Sequence, residues 1–139
     1  MGFFKKKKKK KEVVFKKWKI KKNCLDLIFE SAKSSYPNEF GALLRVDEEQ
    51  RDTITELVLL PGTISGDAHA IFRMYMLPID FSIVGTVHSH PSPYPFPSDA
   101  DKNLFRKHGS IHIIVAYPYD MSSFRAYNYN GDEIELEIV

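Results

Sequence analysis

The chain has 139 residues, the usual size of one domain, and 43% of them are hydrophobic, an ordinary share for a globular protein. Its single cysteine, Cys24, excludes an intramolecular disulfide, and no stretch approaches the ~20 apolar residues of a membrane span. The net charge of +2 hides an uneven placement: residues 1–22 hold 12 lysines and one acid, +11, whereas residues 23–139, with 8 basic and 17 acidic side chains, carry −9.

Lys5 to Lys11 is an unbroken lysine run that repels itself, so residues 1–12 are expected to form a disordered arm ahead of a folded domain at 13–139. The arm reads as a solvated tail; its other reading is a weak contact with nucleic acid or another polyanion, which such charge attracts without sequence preference. The N-terminus is basic but lacks the apolar run of a signal peptide, and the chain is expected in the cytoplasm. Trp18 and Ile20 alternate with lysines, as on a strand solvated on one face. Asn23 is expected to cap a helix from Cys24 to Ser35, where Leu25, Ile28, Phe29 and Ala32 recur at helical spacing and Pro37 closes the segment. Cys24 reads as a small apolar residue at that helix start. Glu39 to Leu44 opens a strand ending near Val46, and Thr53 to Leu60 returns from it across a polar turn.

Pro61 to Ala68 is a loop, and His69 to Met76 reads as a further strand joined through Pro78 to Phe81 to the next. Ile83-Val84-Gly85-Thr86-Val87 is a buried, β-branched strand from whose end His88 and His90, two apart, project to one face. The prolines that follow force an open loop. Ser98 reads as the N-cap of a helix to about His108, before Gly109, with Asp101 in its first turn, where a carboxylate suits the helix dipole. Two imidazoles and a carboxylate brought together by strand, loop and helix make a three-ligand zinc set with a position left for water. Ile111 to Tyr117 is another buried strand, and Ser123–Tyr129 with Glu133–Val139 forms a hairpin around Asn130-Gly131. His69, His108 and His112 read as structural. With strands outnumbering flanking helices, the fold class is α+β.

A metal-activated water still needs a general base, and a nearby carboxylate suits the task. Glu39, Glu56, Asp67, Asp80 and Asp99 all qualify by residue type, and spacing does not choose between them.

The stretch His88, His90, seven residues, Ser98, two residues, Asp101 resembles the signature of the JAMM (MPN-plus) metalloproteases, without gap or substitution. The resemblance covers about residues 18–139 and implies a mixed, curved β-sheet like that of the cytidine deaminases. It implies that His88, His90 and Asp101 bind Zn²⁺. It picks Glu39, which opens Glu39-Phe40-x-Ala42-Leu43-Leu44, as the catalytic base, and Ser98 as donor to the oxyanion. Many relatives carry glycine three residues after that glutamate; here the place holds Ala42. The implied reaction is hydrolysis of isopeptide or peptide bonds after the C-terminal glycines of ubiquitin-like or sulfur-carrier proteins. The alternatives are a non-catalytic MPN scaffold module and a nucleic-acid-associated protein acting through its lysine arm.

Overall fold

The computed structural model describes residues 17–59 and 80–139. The lysine arm, the loop at 61–68, the strand expected at 69–76, and His69 and Asp67 lie outside the described residues. Among the described residues the elements run β1 (Trp18–Ile20), α1 (Lys22–Ser35), β2 (Gly41–Val46), β3 (Thr53–Val58), β4 (Ile83–His90), α2 (Asp99–Lys107), β5 (Ile111–Ala116), β6 (Phe124–Asn128), β7 (Glu133–Ile134) and β8 (Leu136–Ile138). The strands form one mixed sheet in the order β7-β6-β5-β4-β2-β3-β1-β8. This is the expected α+β class, with a helix on each face.

Period-two alternation decides which helix each strand residue meets. Ala42, Leu44, Val87, Ile113 and Val115 join Leu25, Ile28, Phe29 and Ala32 of α1 in the larger core cluster. Leu43 and Ile114, on the opposite face, pack with Leu104 and Phe105 of α2 and with Tyr127. β5, buried at all six positions, sits in mid-sheet between parallel β4 and antiparallel β6.

Two expectations need correction. Helix α1 starts at Lys22, with Lys21 at the cap position and no side-chain cap, so Asn23 lies inside the first turn. The reason is tertiary: the Lys22 N–H donates to the Val139 carbonyl at 2.9 Å, so a backbone partner meets a need that an N-cap side chain serves elsewhere. The C-terminal hairpin holds only for its first half. Asn128 accepts the N–H groups of Asn130 and Asp132 on its side chain, Gly131 takes φ 85, and Ala126 and Tyr127 pair with Ile134 and Glu133. Beyond Glu135 the chain leaves β6. Residues Leu136 to Ile138 pair in parallel with Trp18 to Ile20, so consecutive β7 and β8 hold opposite ends of the sheet.

At Gly85 the β4 backbone runs against β5, and a Cβ there would collide with the Ile111 carbonyl. Gly85→Ala is expected to destabilise the fold by about 3 kcal/mol or more, because the obstruction is backbone that cannot rotate away. The midpoint of urea unfolding measures it.

His112 is a core histidine. Its Nδ1 lies 2.7 Å from the Thr86 hydroxyl and its Nε2 3.0 Å from the Gly109 carbonyl, while its ring stacks on Phe105 at 4.4 Å. A carbonyl only accepts, so Nε2 carries the proton and Nδ1 accepts from Thr86. Burial pushes His112 down to about 4, against the raising effect of hydrogen bonds to the Gly109 and Phe105 carbonyls. The unfolded imidazole, near 6.5, therefore takes a proton that the folded one refuses. The stability owed to neutral His112 is complete above pH 6.5 and falls as the pH drops toward about 4, by at most about 1.4 kcal/mol per pH unit. In His112→Gln this contribution is lost, so the slope is expected to be shallower than in the wild type, as read from urea midpoints of both proteins between pH 4 and pH 7.

Candidate metal centre

Strand β4 continues through His90, so both histidines belong to it, and they share the α2 face. His88 is registered with Gly41 on β2 and Ile114 on β5, and His90 with Ala116. Across the face stands α2. Ser98 caps it: the Ser98 Oγ accepts the Asp101 N–H at 3.0 Å, and the Ser98 N–H donates to Asp101 Oδ2 at 2.9 Å. This is a capping box with aspartate in the third helical position, where glutamate or glutamine is usual. The shorter side chain turns the carboxylate toward the strand. Asp101 Oδ1 lies 3.1 Å from His88 Nε2, and Oδ2 lies 3.2 Å from His90 Nε2.

The two Nε2 atoms are 3.3 Å apart. His88 and Asp101 are each 1% exposed and His90 is half-buried. A tetrahedral zinc with bonds of about 2.0–2.1 Å places its ligand atoms about 3.3 Å from one another. The three donors match that spacing and are of the right chemical type, so His88, His90 and Asp101 could hold the ion.

The surroundings orient the donors. His90 Nδ1 sits 2.9 Å from the Tyr94 carbonyl, which fixes the proton on Nδ1 and leaves the Nε2 lone pair for a metal. The loop that supplies this carbonyl is tied down at several points. The Tyr127 hydroxyl donates to the Pro95 carbonyl at 2.6 Å, the Arg125 guanidinium lies over the Phe96 ring, and the Tyr117 N–H donates to the Ser92 carbonyl. Burial works to lower His90, but its hydrogen bonds to Asp101 and Tyr94 and the charges of Asp101 and Glu39 leave it above the ordinary histidine value. The field that favours a proton at this point also favours a cation.

Glu39 lies just before β2. The Ser89 N–H donates to the Phe40 carbonyl at 2.9 Å and the Phe40 N–H to Ser89 Oγ at 2.8 Å. Gly41 is opposite His88, and Glu39, two residues earlier in the chain, is close enough for its charge to act on His90. Of the other carboxylates, Glu56 and Asp80 are engaged by Arg45, and Asp99 is exposed at the start of α2. His108 caps the C-terminus of α2, and burial lowers it. The supports Ser89, Tyr94 and Tyr127 were missed in the sequence. A backbone carbonyl has no sequence signature, and Tyr127 reads only as an apolar position on a strand.

Residues 21–127 match the family model of prokaryotic homologues of the JAB domain. The chain belongs to this family, the JAMM/MPN proteins. It is 34% identical to a protein of Haloferax volcanii described as a probable metalloprotease, over 84% of this chain and 76% of that one. A solved JAB1/MPN domain protein from Archaeoglobus fulgidus is 45% identical, with a TM-score of 0.70 over 87% of this chain and 98% of that one. A structure described as a JAMM metalloprotease-like zinc site in the proteasome and signalosome is 41% identical, with a TM-score of 0.69 over 88% of this chain and 98% of that one. The JAMM resemblance read from the motif therefore holds for the family and for the fold.

Ser98→Ala removes the side-chain acceptor for the Asp101 N–H and keeps the backbone donor to its carboxylate. Zinc is expected to bind still, with roughly tenfold lower affinity, and the protein to lose about 1 kcal/mol of stability. Zinc titration against a competing chelator and thermal melting of the zinc-free protein read the two effects separately.

Proposed function

We propose that the chain is a zinc-dependent peptidase or isopeptidase, with residues 13–139 as its catalytic domain and residues 1–12 as an arm outside the chemistry. One observation carries the reading: three donors, His88, His90 and Asp101, converge, and the charge of a carboxylate, Glu39, reaches His90. The likeness to the probable metalloprotease of Haloferax volcanii supports it.

The ion held by these three residues would supply Lewis acidity toward a water and the scissile carbonyl. Glu39 takes the proton of the water that attacks and delivers it to the departing amine, so one side chain serves as base and then as acid. Ser98 is exposed, and its Oγ already accepts from the Asp101 N–H, so its own hydrogen is directed away from the helix. That hydrogen donates to the oxygen on which charge develops. The substrates are the C-terminal tails of ubiquitin-like or sulfur-carrier proteins, cut after their glycines. The family membership supports this class. No described helix is long and apolar enough to cross a membrane.

Glu39→Gln keeps size and shape and removes the proton acceptor. It is expected to retain zinc and melting temperature while the chemical step slows by at least ~10²–10⁴-fold. His88→Ala is expected to lose zinc and activity together. Zinc content, melting temperature and single-turnover cleavage, measured on the same preparations, decide the matter. Cleavage at the wild-type rate by Glu39→Gln would remove Glu39 as the base.

A further inference from the structure

Three tyrosines meet at the end of the sheet that carries the metal group. Tyr36 ends α1 and stands three residues before Glu39. Tyr117 follows Ala116, the residue registered with His90, and its N–H is held by the Ser92 carbonyl at 3.0 Å. The two rings lie against each other with centroids 5.1 Å apart and planes at 40°, and they are 48% and 46% exposed. Tyr119 props both from below: it meets Tyr36 edge-on at 6.2 Å and Tyr117 edge-on at 5.8 Å, and is itself buried.

This arrangement is unfavourable for stability alone. Tyr119 takes φ 67, in the left-handed region where glycine or asparagine is easier to place. Its hydroxyl is buried without a hydrogen-bond partner among the described residues, where phenylalanine would leave nothing unmet. Backbone strain and an unmet buried group fall on the one residue that fixes two half-exposed aromatic rings. Such features gather where a protein binds or reacts.

We propose that Tyr36 and Tyr117 are the platform on which the substrate backbone lies beside the scissile bond, and that they select unbranched, glycine-type residues there. The inference rests on the peptidase reading above and names residues that determine its specificity. A chain that brings a carbonyl to His88, His90 and Asp101 meets this end of the sheet, where Tyr119 is close enough to Glu39 to feel its charge and the Tyr117 backbone is tied to Ser92, two residues after His90. A planar peptide group can lie flat on an aromatic face, whereas a Cβ holds the backbone off it. The rings are already packed on Tyr119, so little side-chain freedom remains to be lost on binding.

The test uses full-length, zinc-loaded Glu39→Gln protein and a ubiquitin fusion in which the Gly-Gly tail is followed by a short peptide. A second fusion carries Ala-Ala in that place. Tyr36→Ala and Tyr117→Ala, each added to Glu39→Gln, are expected to weaken binding of the Gly-Gly fusion by roughly tenfold. They are also expected to erase its preference over the Ala-Ala fusion. Tyr36→Phe and Tyr117→Phe keep the ring and should keep the affinity. In chains that retain Glu39, the alanine variants should raise KM and leave kcat within about twofold. Melting temperatures confirm that these exposed substitutions leave the fold intact. Affinity unmoved by either alanine variant overturns the platform, as does an equal loss in the phenylalanine variants or a fall in kcat at constant KM. If the wild-type protein cleaves neither fusion and the Glu39→Gln protein binds neither, the substrate reading itself fails and the platform falls with it.

Discussion

The Asp101 carboxylate is pulled from two sides. From its own helix it receives the Ser98 N–H at 2.9 Å, and from the sheet it meets two imidazole nitrogens at 3.1 and 3.2 Å. Helix geometry and site geometry are thus one constraint: α2 cannot begin elsewhere without withdrawing a ligand. The usual capping box spends a long side chain reaching back to the backbone. Aspartate at the same place reaches the backbone with one oxygen and still presents both to the face of β4. Burial strengthens these contacts, because a carboxylate at 1% exposure has little water to satisfy it.

Around that point the protein uses rigid elements rather than loops. The histidines stand on β4, whose backbone is paired with β2 at His88 and with β5 at both histidines. The proline loop is held through Ser92, Tyr94, Pro95 and Phe96. A metal centre needs ligands that do not wander, and here the sheet, a helix cap and a pinned loop each remove one source of motion.

Much of this was legible in the sequence. The strand before His88, the Ser98 cap and the buried β5 follow from local pattern, because β-branched runs and capping residues act within a few positions. The three metal donors were legible because strand alternation and helix start fix their directions. What the sequence concealed is non-local. Spacing left five carboxylates equivalent, and only tertiary structure brings the charge of Glu39 to bear on His90. The true start of α1 depends on the Val139 carbonyl, more than a hundred residues away along the chain. The break at Glu135 was invisible, since Glu133 to Val139 alternates well enough to read as a single strand.

That break has a consequence for how the chain reaches its final form. The partner of Trp18 is Leu136 and that of Ile20 is Ile138, so one of the first strands waits for the last. During synthesis β1 can lie against β3, but the sheet stays open until residues 136–138 have left the ribosome. Until then the α1 side of the core keeps an open flank, and closure is a late event governed by long-range contacts rather than by local propensity.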